Sequence, residues 1–344
     1  MFQPDGATTE FFAAPIPDDY RPHPDIPRNM AHFLDRGSLI AVDAALQALG
    51  AAGLGAGSGD ARRFAVVDGI PYRAPGQPVL FVPYGHMVAR VLGVRGPVAL
   101  AGGAEASGMA AVAAAGRLIA SGEADVVLAG AAQALQEPLL EHLRAQGFSS
   151  RETARPFDVE HAGFVPCEAA AYLAIESEAH ARARGAPAIA RIAGIGEVFD
   201  SAVEPLALSD AAESGRAQQL ALSNAGFLQN QIDLMVSCAD GRLAVDFAEG
   251  YGIMRTFGRH AYFAGVTTVA GALGFALGAS GPLSLAMALE AIRRQRTFPV
   301  AGFSKGEAGL ELTYITEPRD EKIDCVLATS MGVGGTLVSI LLHR

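Results

Sequence analysis

The stretch Gly102-Gly-Ala-Glu-Ala-Ser-Gly-Met-Ala-Ala constrains this chain's fold more than any other. Val98 to Leu100 reads as a strand, the small residues after it as a tight turn, and Met109 to Ser121 as an Ala-rich helix. Small side chains let such a helix approach its neighbours closely, so the segment belongs in a packed core. A turn between strand and helix exposes one side chain beside a helix N-terminus, whose dipole favours negative charge, and enzymes often present a nucleophile this way. The residue at the tip is Glu105. A carboxylate cannot do the work of a thiolate, so the chain keeps an enzyme's scaffold without the usual attacking group.

The rest of the chain alternates between strand and helix signals. Residues 1–30 are rich in Pro and Asp and read as an irregular arm. Helices are expected over Asn29–Leu54, Met87–Leu92, Ser177–Arg184, Ala211–Ala225 and Pro282–Gln295. Extended segments are expected at Phe64–Val67, Val79–Val82, Asp125–Leu128, Tyr172–Ile175, Ala188–Val198, Leu234–Ser237, Cys325–Thr329 and Thr336–Leu342. Apolar strands alternating with helices indicate an α/β protein with buried sheets. No linker separates independent domains. The expected organisation is the arm, an N-terminal half over residues 31–185 and a C-terminal half over residues 186–344, together one compact domain.

Half of the 344 residues are hydrophobic and only 18% are charged, which points to a thick core or a face buried against a partner. Gly, Pro and charges interrupt every apolar run, so no membrane span is expected. Met1-Phe-Gln-Pro-Asp-Gly lacks a signal-peptide pattern. Cys167, Cys238 and Cys325 are an odd number without metal-ligand spacing. They suggest a reducing, cytoplasmic setting with no disulfide framework and no metal. A net charge of -10 argues against a nucleic-acid surface. The loop Gly332 to Gly335 lacks the Lys and the spacing of a phosphate-binding loop, and no cofactor is expected.

Four segments, in order, resemble the β-ketoacyl synthase family. Arg117-Leu-Ile-Ala-Ser-Gly-Glu-Ala-Asp-Val-Val-Leu-Ala-Gly is similar to the helix and strand that follow the family's nucleophile. Arg155-Pro-Phe-Asp and Gly163-Phe-Val-Pro-Cys-Glu-Ala-Ala-Ala resemble its Arg-Pro-Phe-Asp and Gly-Glu-Gly-Ala runs. Gly278-Ala-Ser-Gly-Pro resembles a late Gly-Ala-Ala-Gly helix start, and Met331-Gly-Val-Gly-Gly-Thr its closing Gly-Phe-Gly-Gly-Thr loop. The resemblance implies a thiolase-like fold of five layers, α/β/α/β/α, built from two pseudo-repeated halves and usually dimeric.

Carried over residue by residue, the family's nucleophilic Cys falls on Glu105. Its first His, in Asn-Ala-His-Gly-Thr, falls on Asp240. Its second His falls on Phe275 and its Lys on Ala270. Condensation needs a thiolate to hold the acyl chain and imidazoles to assist decarboxylation; Glu, Asp and Phe supply neither. Two roles stay open for Glu105. It caps the helix N-terminus, or it meets Asp240 and shares a proton with it, which would suit acid–base work. Phe275 reads as filler. Ala270, Cys238, Met109, Met331 and Gly332 are candidates for the pocket, Cys238 as inert packing rather than a nucleophile. Glu168 and Asp158 read as structural carboxylates.

The resemblance implies a non-condensing, chain-length-factor-like subunit. It would pair with an active ketosynthase in type II polyketide or fatty-acid-like synthesis, with acyl carrier protein as a further partner. Chain-length factors carry Gln at the elbow, so Glu105 departs from that pattern. So do two weak segments: the family's leading strand, not recognisable in residues 1–30, and a shortened partner-facing segment at Ile70-Pro-Tyr-Arg-Ala-Pro-Gly-Gln. The alternatives are an enzyme using Glu105 and Asp240 on an acyl thioester, and a structural homodimer.

Overall fold

The computed structural model describes residues 12–55, 59–73, 82–148, 153–201 and 212–344. In chain order the elements are α1 (Arg28–Ala31), α2 (Arg36–Ala51), β1 (Phe64–Gly69), α3 (Tyr84–Leu92), β2 (Val98–Ala101), α4 (Ser107–Ala120), β3 (Val126–Gln133), α5 (Glu137–Ala145), β4 (Ala169–Glu176), α6 (Glu178–Ala183) and β5 (Arg191–Phe199). There follow α7 (Ala212–Ala225), β6 (Leu234–Val236), α8 (Leu243–Phe257), β7 (Gly265–Thr267), α9 (Ala270–Leu273), α10 (Ser280–Arg294), β8 (Cys325–Met331) and β9 (Thr336–His343).

The strands form two sheets, in the orders β2-β1-β3-β4 and β5-β9-β8-β6-β7. β1 and β3 are buried on both faces, which is why they read as continuous apolar runs rather than alternating ones. Helices α4 and α10 lie between the sheets: Val112, Ala113, Leu285 and Ile292 share one core with Val127 and Ala129 of the first sheet and Val326 and Ile340 of the second. Helices α2 and α3 cover the outer face of the first sheet, and α7 and α8 that of the second. The result is the five-layered thiolase-like fold.

The pseudo-repeat is visible in the connections. In the first half β2 leads through α4 to β3, which pairs antiparallel with β4; in the second, β7 leads through α10 to β8, which pairs antiparallel with β9. β5 adds a strand beside β9. Among the described residues nothing pairs in that way beside β4. Instead Ala14 forms an isolated bridge with Cys167.

Both middle helices begin alike. A 3-10 turn, Ala104–Ala106 or Leu277–Ala279, precedes each, and its first residue is left-handed without being glycine, φ 51° at Ala104 and 48° at Leu277. Such a backbone costs about 1–2 kcal/mol and persists only where its surroundings impose it. Here the two turns pack against each other. A Cβ on Gly108 would sit 2.4 Å from the Gly278 carbonyl and 2.6 Å from Pro282, and one on Gly278 would sit 2.5 Å from Ser107 Oγ. Met109 lies in this crossing, fully buried and against Gly281.

Three local expectations change. The helix expected over Asn29–Leu54 is two helices, because Asp35 accepts the Ser38 N–H at 2.7 Å and caps α2 afresh. Phe33, which suggested one continuous apolar face, is 77% exposed. Helices α5 and α8 were not read from the sequence. α8 contains Gly250 and Gly252, which weaken a helical pattern, and Gly252 sits where a Cβ would meet Ser214 of α7 at 2.6 Å. Residues 79–81 of the extended segment expected at Val79–Val82, the end of the shortened segment after Arg73 and residues 1–11 of the arm lie outside the described residues.

A pair of glycine substitutions tests the crossing. Gly108→Ala should lower stability by about 1–3 kcal/mol through overpacking. Gly50→Ala, exposed in α2 with nothing within 4 Å of its Cβ, should raise it by about 0.5–1 kcal/mol. Urea unfolding midpoints compare the two; equal shifts of one sign would contradict the close approach.

Candidate functional site

The α4 turn presents Glu105 as the geometry of the segment requires, but its carboxylate does not cap α4, which has no side-chain cap. Glu105 Oε2 accepts the Val333 N–H at 2.9 Å, and Oε1 faces Arg242 Nη1 at 3.4 Å. The other side of the guanidinium holds Asp240: Nε lies 2.9 Å and Nη2 2.7 Å from Oδ2. Glu105 and Asp240 are therefore brought to one site, joined through a cation rather than through a shared proton. Both are buried, at 3% and 0% exposure, and the Arg242 side chain is 12% exposed.

Arg242 is the residue the sequence reading missed. It occupies the last position of Cys238-Ala-Asp-Gly-Arg, where the family motif has Thr. Its guanidinium carbon lies 5.6, 5.1 and 5.5 Å from the ring centres of Phe148, Phe164 and Phe275. Aromatic faces and a bidentate carboxylate fix the planar group in one orientation. Phe275 thus fills space and also forms part of the wall around a buried cation. A charged side chain between Gly241 and the apolar helix start Leu243-Ala-Val was the available signal.

A pocket of about 350 Å³ opens beside this cluster, lined by Phe148, His161, Arg242, Val245, Met331 and Val333 among others. Met331 and Gly332 line it. Three other candidates do not. Met109 is in the α4–α10 crossing. Ala270, 3% exposed, packs with Phe164, Phe275 and Leu277. Cys238 faces the second sheet, its N–H on Thr329 Oγ1 at 3.3 Å. Burial and the neighbouring Glu249 push the Cys238 thiol well above its ordinary range, so it stays protonated and a poor nucleophile.

Other carboxylates hold the frame. Asp246, at the start of α8, accepts the N–H groups of Asp240 and Gly241 at 3.1 Å and of Phe157 at 2.7 Å. Burial and the charge of Asp240 push its carboxyl up to about 8 against those donors. Asp158 accepts from Ser304 N at 2.6 Å, Lys305 N at 2.8 Å, Glu160 N at 2.9 Å and Ser304 Oγ at 2.9 Å. Burial alone would raise it, but the donors bring it down to about 2. Glu168 takes Arg36 as its charge partner, Nε 2.8 Å away, and the N–H groups of Ile16 and Leu135 at 3.0 Å. The described residues contain no group of three or more His, Cys, Asp or Glu placed to hold a metal ion.

Two sheets enclosing paired turn–helix units define a thiolase-like scaffold. The Beta-ketoacyl synthase N-terminal domain model matches residues 85–181 and the C-terminal domain model residues 189–304. Nodulation protein E of Rhizobium meliloti is 30% identical over 338 residues, 92% of this chain and 84% of that protein. A β-ketoacyl synthase crystal structure from Burkholderia phymatum STM815 superposes with TM-score 0.87 at 27% identity, covering 96% of this chain and 88% of the other. The ishigamide ketosynthase/chain length factor gives 0.84 at 25%, covering 96% and 87%. The chain belongs to the β-ketoacyl synthase family.

Two outcomes follow. Arg242→Gln leaves two buried carboxylates without their cation and should cost about 3–5 kcal/mol. Adding Asp240→Asn should restore part of the loss, which a double-mutant cycle in urea would measure. Strict additivity would mean the pair is not coupled. For Asp158, the folded carboxyl titrates below the unfolded value of 3.8. Its contribution, about 2 kcal/mol, is present above pH 3.8 and disappears as pH falls through about 2. Asp158→Asn should be destabilised at neutral pH, and the gap should close near pH 2; a gap that is constant with pH would contradict the assignment.

Proposed function

We propose that this chain is a non-condensing ketosynthase-like subunit that pairs with an active ketosynthase in type II polyketide or fatty-acid-like synthesis. One observation carries the reading: the side chain at the elbow is a carboxylate whose two oxygens are committed to Val333 N–H and Arg242. A thioester cannot form there, and neither Asp240 nor Phe275 offers an imidazole for decarboxylative condensation. The ishigamide ketosynthase/chain length factor among the similar structures supports a role of this kind.

The edge of the first sheet that has no neighbour among the described residues supports pairing. β2, Val98-Ala-Leu-Ala, is an edge strand with neither charge nor proline, and Leu100 is 42% exposed. Natural edge strands are usually blunted by such residues, and an unblunted apolar edge invites a further strand. A partner subunit would cover it. Acyl carrier protein is the expected source of the acyl group handled by the complex.

The acid–base alternative requires Glu105 and Asp240 to move a proton, and the guanidinium between them weighs against it. Glu105→Gln separates the readings. In the proposed role the amide oxygen keeps the Val333 N–H, the cost is at most about 2 kcal/mol, and a 1:1 complex co-purified with an intact ketosynthase keeps its product output. A roughly 10²-fold loss of turnover with the complex intact would establish the acid–base reading instead. Failure to co-purify with any ketosynthase would remove the partner.

A further inference from the structure

We infer that the outward face of α8, with the 3-10 turn that follows it, is a docking surface for an acidic amphipathic helix of a partner protein. The inference does not rest on the subunit role, and the face lies on another layer than the β2 edge, because α8 covers the second sheet. Leu243, Phe247, Tyr251 and Arg255 follow one another at four-residue spacing, so they share one side of the helix. Leu243 and Tyr251 are 48% and 40% exposed, and the Phe247 and Tyr251 ring centres lie 5.5 Å apart. The turn Gly258–Tyr262 carries the exposure past the helix end, with Arg259 and His260 outside and Phe263 81% exposed. Single exposed apolar side chains are ordinary, but a stripe of them marks an interaction site.

Charge selects the partner. Between Leu243 and Phe263 the carboxylates are turned inward, Asp246 and Glu249 at 2% and 0% exposure. Arg255 and Arg259 are exposed, and neither has an ion-pair partner among the described residues. Glu311, in the loop against Tyr251, is held on the Gly309 N–H at 3.1 Å. The helix dipole favours a cation in the last turn of α8, which accounts for Arg255 but not for the exposed aromatic side chains. The chain as a whole carries a net charge of -10. An acidic partner is therefore repelled by the molecule at large and drawn to this face. The 15 residues of α8 run about 22 Å, long enough to lie along four turns of a partner helix. Apolar side chains of that helix, three and four residues apart, fit against Leu243, Phe247 and Tyr251, while its acids meet Arg255 and Arg259. An anionic lipid surface takes clusters of about four to eight Lys or Arg, and two arginines are too few.

The test is titration of a fluorescently labelled amphipathic peptide, about five helical turns long with Leu on one face and Glu on the other, with the full chain. A peptide of the same composition in scrambled order is the control. The expected result, read by anisotropy, is a Kd of roughly tens of micromolar, as suits a contact of this size, and binding that weakens as salt screens the charges. The scrambled peptide should bind at least about tenfold more weakly. Arg255→Glu combined with Arg259→Glu, both at exposed positions and checked for folding by circular dichroism, should weaken the amphipathic peptide about tenfold or more. Tyr251→Ser should weaken it too while leaving the salt dependence in place, and decides if the charge-reversed variant unfolds. Equal binding of the two peptides, no binding of either, binding that survives both kinds of variant, capture of phosphatidylserine vesicles in place of the peptide, or self-association of the chain through this face would overturn the proposal.

Discussion

The crossing of α4 and α10 is the contact on which the other layers depend. Each sheet is buried because a helix of small residues fills the space between them, and those helices meet at Gly108, Gly278 and Gly281. No side chain larger than hydrogen fits at Gly108 or Gly278, so the two strained turns at Ala104 and Leu277 are held where the chain alone would not place them. The strain is local and the restraint is global, a division found where a fold must present one side chain at a fixed point.

That point here holds Glu105. The site has kept the presentation and changed the chemistry. The Gly332-Val-Gly-Gly loop gives its Val333 N–H to Glu105, and Arg242 links the elbow to Asp240. The cluster ties the first half to the second: Glu105 leads α4, Asp240 follows β6, and Val333 lies between β8 and β9. A buried ion cluster thus closes the seam between the halves. Phe148, Phe164 and Phe275 make its surroundings apolar, so its charges have few partners besides each other.

Much of the fold was legible because its signals are local. Apolar runs at β1, β3 and β8 and the Ala-rich stretch of α4 carry their layer in their composition, and the family motifs around Arg155 and Gly278 supplied the order of the halves. Helix α8 was not legible, since Gly250 and Gly252 depress helical propensity and owe their place to packing against Leu310 and Ser214. The site was half legible. Glu105, Asp240 and Phe275 could be placed by counting from motifs, but the arginine between them could not. Whether a guanidinium two residues after Asp240 points to solvent or into the core depends on three aromatic rings distant in sequence. Glu168 was read as a buried carboxylate, yet its partner Arg36 lies 132 residues away and left no local trace.

The central claim is that the elbow cannot carry an acyl group. Intact-mass spectrometry of the chain, after incubation with an acyl-thioester donor and with a known ketosynthase as the positive control, tests it most directly. The account predicts an unchanged mass for this chain while the control gains one acyl group. A stable adduct mapped by peptide sequencing to any residue of the pocket would contradict it.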